Sequence, residues 1–188
     1  MAIRIESEHL NGIKVIVPDV FKDERGFFME SFRADYFKDA GIPTEFLQEN
    51  HSGSVQGVVR GLHFQYHEPM GKLIRATVGT VTLIEVDIRK NSPTLGEWVS
   101  IEISAENRRQ VWIPPGFANG FCVLSNYAEI QYKCTAIYNP KGETGIRWND
   151  PSLKIKWPVD NPILSAKDQS AQMLEEWLLK PEAEAFRL

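Results

Sequence analysis

The sequence lacks most features that announce a special class of protein. None of its 188 residues belongs to a run near the roughly 20 consecutive apolar residues of a membrane-spanning helix. Only two cysteines occur, Cys122 and Cys134, both in apolar, strand-like surroundings. Two buried thiols in a reducing compartment fit them better than a disulfide framework. Positive charge is short as well: 21 Lys and Arg stand against 25 Asp and Glu, a net charge of −4. That balance argues against a nucleic-acid partner, so any cationic site must be local. The opening residues, Met1 to Glu6, are charged and lack the apolar core of a signal peptide, so a cytoplasmic protein without a membrane partner is expected. There is no internal repeat and no low-complexity tract.

What is present is ordinary for a soluble protein: 43% hydrophobic and 24% charged residues. The length predicts one domain over residues 1–188, large enough for a substantial core. Strand-like runs cover Gly12 to Val17, Phe46 to Ser52, Val81 to Ile88, Trp98 to Ile103, Val111 to Ile113, Phe121 to Leu124 and Ala128 to Ala136. Glycine and proline punctuate them, including the tight turn Pro114-Pro115-Gly116. Phe32 to Ala40 reads as a short helix stopped by Gly41 and Pro43. Many short strands and little helix predict an all-β barrel or sandwich. In the tail, Ser165 to Asp168 has capping-box spacing ahead of a helical run with Ala171, Leu174 and Leu178 on one face, which makes helix capping the ordinary role for Asp168.

The most informative stretch is Val58 to Gln65, a loop containing Pro69, and Gly71 to Gly79. Both ends read as strand. Together they set an imidazole, His63, and an ammonium, Lys72, in one antiparallel pair with Arg60 and Arg75. A base beside fixed positive charge suggests an anionic substrate and a proton to be moved. By strand alternation Arg60 and His63 should face opposite sides. A bulge at or near Gly61 would turn both into one cavity. Elsewhere, Asp23 to Gly26 has turn chemistry and precedes Phe27 and Phe28. Arg25 and an exposed aromatic there suit a flat, charged ligand, although from this segment alone a hairpin turn and a core strand is the better reading. Gln48 and Asn50 share a strand face, and Tyr132 shares one with Ile130 and Cys134.

In order, Asp23-Glu24-Arg25-Gly26-Phe27-Phe28, Gln48-Glu49-Asn50-His51-Ser52, Arg60-Gly61-Leu62-His63-Phe64-Gln65, Gly71-Lys72-Leu73, Ala105-Glu106-Asn107, Pro115-Gly116-Phe117-Ala118, Tyr132-Lys133 and Leu164-Ser165-Ala166-Lys167-Asp168 resemble the motifs of the dTDP-4-dehydrorhamnose 3,5-epimerase family, a cupin-type jelly-roll branch. The resemblance implies a jelly-roll barrel with short helices and no cofactor. It implies a nucleoside-diphospho-4-keto-6-deoxy sugar as substrate, epimerised at C3, C5 or both. His63 would remove a hydrogen acidified by the C4 ketone, and Asp168 would hold its imidazole. An imidazole titrates near neutrality, which suits a base. Lys72 would stabilise the enolate, and Tyr132 would return a proton from the opposite face. Arg25, Phe28, Glu30, Gln48, Asn50, Arg60 and Asn119 would bind the substrate. Arg25 to Glu30 would serve a neighbouring subunit, implying a homodimer with shared sites.

Three rivals share the fold. A metal-dependent cupin resembles its relatives in a His-x-His motif and a later histidine. Here those places hold His63-Phe64-Gln65 and Asn119, so no metal is expected. A non-catalytic sugar-binding cupin has no need of His63, Lys72 and Tyr132 together. A 3,4-ketoisomerase of nucleotide sugars is the nearest rival. One departure from the family pattern stands out: Asn119 replaces a second histidine, and Leu83 replaces the aspartate that pairs with it. Glu85, on the face of Leu83, is the available substitute acid.

Overall fold

Alternating apolar and polar residues carry this chain into stacked sheets. The computed structural model describes residues 2–188. Its strands are β1 (Ile3–His9), β2 (Ile13–Pro18), β3 (Val20–Asp23), β4 (Gly26–Met29), β5 (Gln48–Val55), β6 (Val59–Gln65), β7 (Lys72–Val78), β8 (Thr80–Asp87), β9 (Trp98–Ser104), β10 (Gln110–Ile113), β11 (Phe117–Val123), β12 (Tyr127–Cys134) and β13 (Glu143–Gly145). The helices are α1 (Ala34–Asp39), α2 (Ala166–Gln169) and α3 (Leu174–Leu178), followed by a 3₁₀ turn over Pro181–Phe186. One sheet runs β1-β2-β10-β7-β12-β5 and the other β13-β6-β11-β8-β9, while β3 and β4 form a separate hairpin. The strand pairs within these sheets are antiparallel. This is the cupin-like jelly roll that the resemblance implies.

The core lies between the two sheets. Ile13, Val15, Ile74, Ala76 and Ile130 of the first meet Val81, Leu83, Ile101, Ile103 and Phe121 of the second. Val99, Ile101 and Ile103 therefore face inward, as their alternation predicts. The outer face of the second sheet is equally apolar. Leu62, Phe64, Ile84, Val86 and Ile88 are covered by Leu174, Trp177 and Phe186 of the tail. Each fully buried aliphatic side chain of this kind contributes about 1.5–3 kcal/mol of transfer free energy. Outside the first sheet, α1 drops Phe37 onto Ile16, Leu73 and Trp112. Cys122 and Cys134 are buried free thiols.

Four details depart from the sequence expectation. β6 and β7 do not form the one antiparallel pair expected of the His63 and Lys72 strands: β6 pairs with β11 and β13 in the second sheet, and β7 with β10 and β12 in the first, so the two residues face each other across the barrel. β11 begins at Phe117, earlier than the run from Phe121. The N-terminal segment, which had no strand assigned, pairs as β1 along β2. The tail is not one helical run. α2 ends at Gln169, and Gln172 then makes a parallel bridge to Ile146, with Arg147 N–H donating to the Gln172 carbonyl at 2.7 Å. That pull from the sheet outweighs the helical periodicity of Ala171, Leu174 and Leu178. At the far end of β8, a buried cluster fixes the turn to β9. The Asp87 carboxylate accepts from Arg89 Nε at 2.9 Å, Arg89 Nη2 at 2.7 Å and Thr94 Oγ1 at 2.6 Å. Burial alone would raise the Asp87 carboxyl, but these bonds and that of Ser92 bring it below its ordinary value.

Candidate active site

The site forms where β6 and α2 meet across the barrel from β7 and β12. β6 carries a bulge: His63 pairs with Asn119 and Arg60 with Phe121, so three steps on β6 oppose two on β11. Gly61 makes this possible. Its φ is +134°, and a Cβ there would stand 2.5 Å from the Gly120 Cα. On β8, Glu85 pairs with Asn119 and Leu83 with Phe121. Leu83 and Glu85 share a strand face, so Arg60 and His63 face the same side. The bulge expected at Gly61 is thus the local irregularity that overrides simple alternation.

α2 brings the partner for the imidazole. Asp168 is 3% exposed, and its Oδ1 lies 2.5 Å from His63 Nε2. Its Oδ2 accepts from Ser165 Oγ at 2.8 Å. Ser165, not Asp168, caps the helix: its Oγ accepts from the Asp168 N–H at 3.1 Å. Burial works to raise the Asp168 carboxyl, but the hydrogen bond and charge of His63, Ser165 and the Lys167 ammonium hold it below its ordinary value. An ionised Asp168 therefore keeps the His63 proton on Nε2 and leaves Nδ1 as the basic nitrogen.

Facing this dyad, Lys72 on β7 and Tyr132 on β12 stand on adjacent strands, with Lys72 Nζ 6.0 Å from the Tyr132 ring centre. His63, Lys72, Tyr132, Gln48, Asn50, Glu143, Tyr138 and Met70 line one cavity of about 100 Å³. Gln48 Nε2 donates to Asn50 Oδ1 at 3.0 Å, so the shared face read from the sequence holds. Burial pushes the Tyr132 phenol up, more than the Asn50 hydrogen bond lowers it, so it carries its proton at neutral pH. Burial lowers Lys72, and the charges of Cys134, Glu85 and Glu143 oppose that. Arg60 donates through Nε and Nη2 to Ser54 Oγ at 3.1 and 3.0 Å, and its charge reaches Tyr132. Among the described residues no group of three or more His, Cys, Asp or Glu is placed to hold a metal ion.

Arg25, Phe28 and Glu30 are not in this cavity. They belong to the β3–β4 hairpin and the residue after it, where Phe21, Phe27 and Phe28 are half or more exposed. Among the described residues Arg25 pairs only with Asp23. Phe27 and Phe28 lie beside Arg75, Thr77 and Arg108. Arg75 alternates with Ile74 and Ala76, which point into the barrel. The hairpin therefore sits on the side of the six-stranded sheet away from Lys72 and Tyr132. Asn119 lies next to His63 in register, and its Nδ2 donates to Glu85 Oε1 at 2.6 Å. Glu143 and Tyr138 had no sequence signal of their own. Glu143 lies in a three-residue strand and pairs with Lys167, while the Tyr138 N–H donates to Gln48 Oε1 at 2.8 Å. Among the described residues no helix is long and apolar enough to cross a membrane.

Comparison with known proteins gives this geometry a context. The family model described as dTDP-4-dehydrorhamnose 3,5-epimerase matches residues 7–176. The chain is 54% identical over 173 residues to the dTDP-4-dehydrorhamnose 3,5-epimerase of Shigella flexneri, spanning 87% of this chain and 95% of that one. It superposes with a TM-score of 0.91 and 45% identity on the crystal structure of dTDP-6-deoxy-D-glucose-3,5-epimerase from Legionella pneumophila Philadelphia 1 in complex with dTDP-4-keto-L-rhamnose, covering 96% of each chain. It is also 37% identical over 176 residues to the dTDP-4-dehydrorhamnose 3-epimerase of Streptomyces niveus, covering 93% of this chain and 85% of the relative.

Proposed function

The chain belongs to the dTDP-4-dehydrorhamnose 3,5-epimerase family and is an isomerase, and on that premise we propose that it inverts C3 and C5 of dTDP-4-keto-6-deoxyglucose by acid–base chemistry between His63 and Tyr132. The observation that carries this reading is the division of the cavity. The His63–Asp168 pair stands on one sheet and its helix, and Lys72 and Tyr132 stand on the other. Inversion needs a base on one face of a carbon and an acid on the other.

The steps follow from the groups. The C4 ketone makes the hydrogens on C3 and C5 acidic. His63 Nδ1 takes one as a proton, with Asp168 stabilising the imidazolium that results. The electron pair moves onto the C4 oxygen, where the Lys72 ammonium balances the developing charge. A preorganised donor of this kind is commonly worth on the order of 10²–10³ in rate. The protonated Tyr132 phenol then delivers its proton to the opposite face. His63 returns its proton to solvent and Tyr132 regains one, which resets the site for the second carbon. Gln48 and Asn50 line the cavity with groups suited to sugar oxygens, while the exposed Arg60 guanidinium, outside that lining and tied to Ser54, suits a phosphate.

Arg25, Phe28 and Glu30 cannot reach their own His63 cavity from the far side of the sheet. This supports a homodimer in which each hairpin completes the partner's site. A stacking aromatic beside an arginine suits a nucleotide base and its phosphates. A second reading, inversion at one carbon only, rests on Asn119 and Leu83, which stand where the family pattern has a histidine and its aspartate, and on the bond of Asn119 to Glu85 instead. The test is turnover of 4-keto-6-deoxyglucose carried on dTDP, UDP and GDP, with products resolved by NMR. We expect the dTDP sugar to be turned over fastest by at least about tenfold, the effect of roughly 1.4 kcal/mol of differential binding. Equal turnover on all three carriers, or none on dTDP, would contradict the reading.

A further inference from the structure

The motif that carries His63 ends on a side chain the steps above do not use. Gln65 is 2% exposed and lies two residues along β6 from His63, on the same strand face and in the lining of the same cavity. A buried amide is destabilising unless its donors and its oxygen are met. Both N–H bonds and the oxygen of Gln65 are met, each by a main-chain group in a connection between strands. Its Nε2 donates to the Glu68 carbonyl at 2.9 Å and to the Ile137 carbonyl at 3.1 Å. Its Oε1 accepts from the Asn139 N–H at 2.8 Å.

These partners gather at one end of the barrel. The register sets Cys134 against Lys72 and Glu143 against Gln65. Two connections leave this end, residues 66–71 from β6 to β7 and residues 135–142 from β12 to β13, and both cross from one sheet to the other. Residues 137–139 have no regular structure of their own. Gln48 ties them to the first sheet, its Oε1 accepting from the Tyr138 N–H at 2.8 Å. Gln65 ties them to the second sheet, through the residues on either side of Tyr138. Tyr138 lines the cavity and is 51% exposed, so it stands where the cavity opens to solvent. The shorter connection brings Met70 to the same cavity. Gln65 holds that connection at Glu68, whose φ of +58° lies in the left-handed region that few side chains adopt.

We propose that Gln65 is a positioning residue, a pin that sets the two sheet-crossing connections over the mouth of the His63 cavity and so fixes the wall, Tyr138 included, that the bound substrate meets. The proposal rests on the reading of this cavity as the nucleotide-sugar site. A segment without regular structure loses conformational entropy when it is ordered. With the pin in place that loss precedes binding; without it, binding must order the segment. The effect therefore falls on affinity. His63, Lys72 and Tyr132 stand on strands and keep their places when the connections loosen.

The test is Gln65→Met in the full chain, which keeps the length of the side chain and removes its three bonds. The first readout is amide hydrogen exchange. The Asn139 N–H should lose protection by about tenfold, the effect of one net hydrogen bond, while amides of the β8–β11 ladder keep theirs. The second is calorimetric affinity for dTDP-glucose, which has no C4 ketone and so binds without reacting. Its Kd, and the KM of the keto sugar, should rise by about tenfold, more than turnover at saturating substrate falls. A folded Gln65→Met that keeps protection at Asn139, or loses it with affinity unchanged, overturns the proposal. So does a loss confined to turnover at saturating substrate. Should Gln65→Met not fold, the wild-type protein decides. Its Asn139 N–H should exchange as slowly as the Tyr66 N–H, which the Gly142 carbonyl holds at 2.8 Å between the same two connections, and fast exchange at Asn139 overturns the proposal. Failure of the wild-type protein to bind dTDP-glucose would instead sink the nucleotide-sugar reading, while loss of Asn139 protection in the variant would still support the pin.

Discussion

Replacing His63 with asparagine is expected to abolish deuterium exchange at both C3 and C5. The side chain is the one base that Asp168 holds at the cavity wall, through a 2.5 Å contact to Nε2. General-base catalysis of this kind contributes about 10²–10⁴-fold, and loss of the base for the first proton transfer blocks everything after it. We expect exchange to fall by about 10³-fold. The asparagine amide ends where the ring's Nδ1 and Cδ2 stand, short of Nε2, so Asp168 loses its imidazole partner and keeps its bonds with Ser165; the protein should stay folded and unfold somewhat below the wild-type temperature. The check is NMR of the substrate in D₂O beside a thermal melt. Wild-type wash-in by a folded His63→Asn protein would remove His63 from the mechanism.

The second large effect separates exchange from inversion. In Tyr132→Phe, His63 and Lys72 remain, so a proton can still leave and an enolate can still be held. What is lost is the phenol that burial keeps protonated on the facing sheet. The carbon then regains its proton from the face that lost it. Exchange should stay within about tenfold of wild type while inverted product falls by about 10²-fold, the lower range for one acid–base group. Phenylalanine preserves the packing of the ring against the core, so stability should change little. Equal losses of exchange and of product would show that Tyr132 does something other than deliver the proton.

The fold was legible in the sequence because its signals are local. Short alternating runs broken by glycine and proline can form only small strands, and two-sided apolar strands such as Val81 to Ile88 must be covered on both faces. The bulge at Gly61 was legible for a similar reason: Arg60 and His63 are three residues apart, and only an irregularity brings them to one side. Partnerships across the sequence were not legible in local pattern, and only the family resemblance pairs Asp168 with His63. Capping spacing around Asp168 predicts a helix start, yet Ser165 makes the cap and the carboxylate reaches His63, 105 residues away. The break between α2 and α3 comes from the bridge of Gln172 to Ile146, which no local pattern announces. Glu85 could be assigned a strand face, but its bond to Asn119 depends on the register of β8 against β11. The hairpin of Arg25 and Phe28 was visible as a turn and two aromatics, whereas the side of the sheet it covers was not.

The central claim is that one base, His63, opens both C3 and C5 while the pocket around Asn119 tolerates both. The most direct measurement is wild-type deuterium incorporation into dTDP-4-keto-6-deoxyglucose, followed at each carbon by NMR. The account predicts incorporation at C3 and at C5, both faster than product release into the bulk requires, with inversion at each. Incorporation confined to one carbon would contradict it and make the Asn119–Glu85 pair the mark of a single-carbon epimerase.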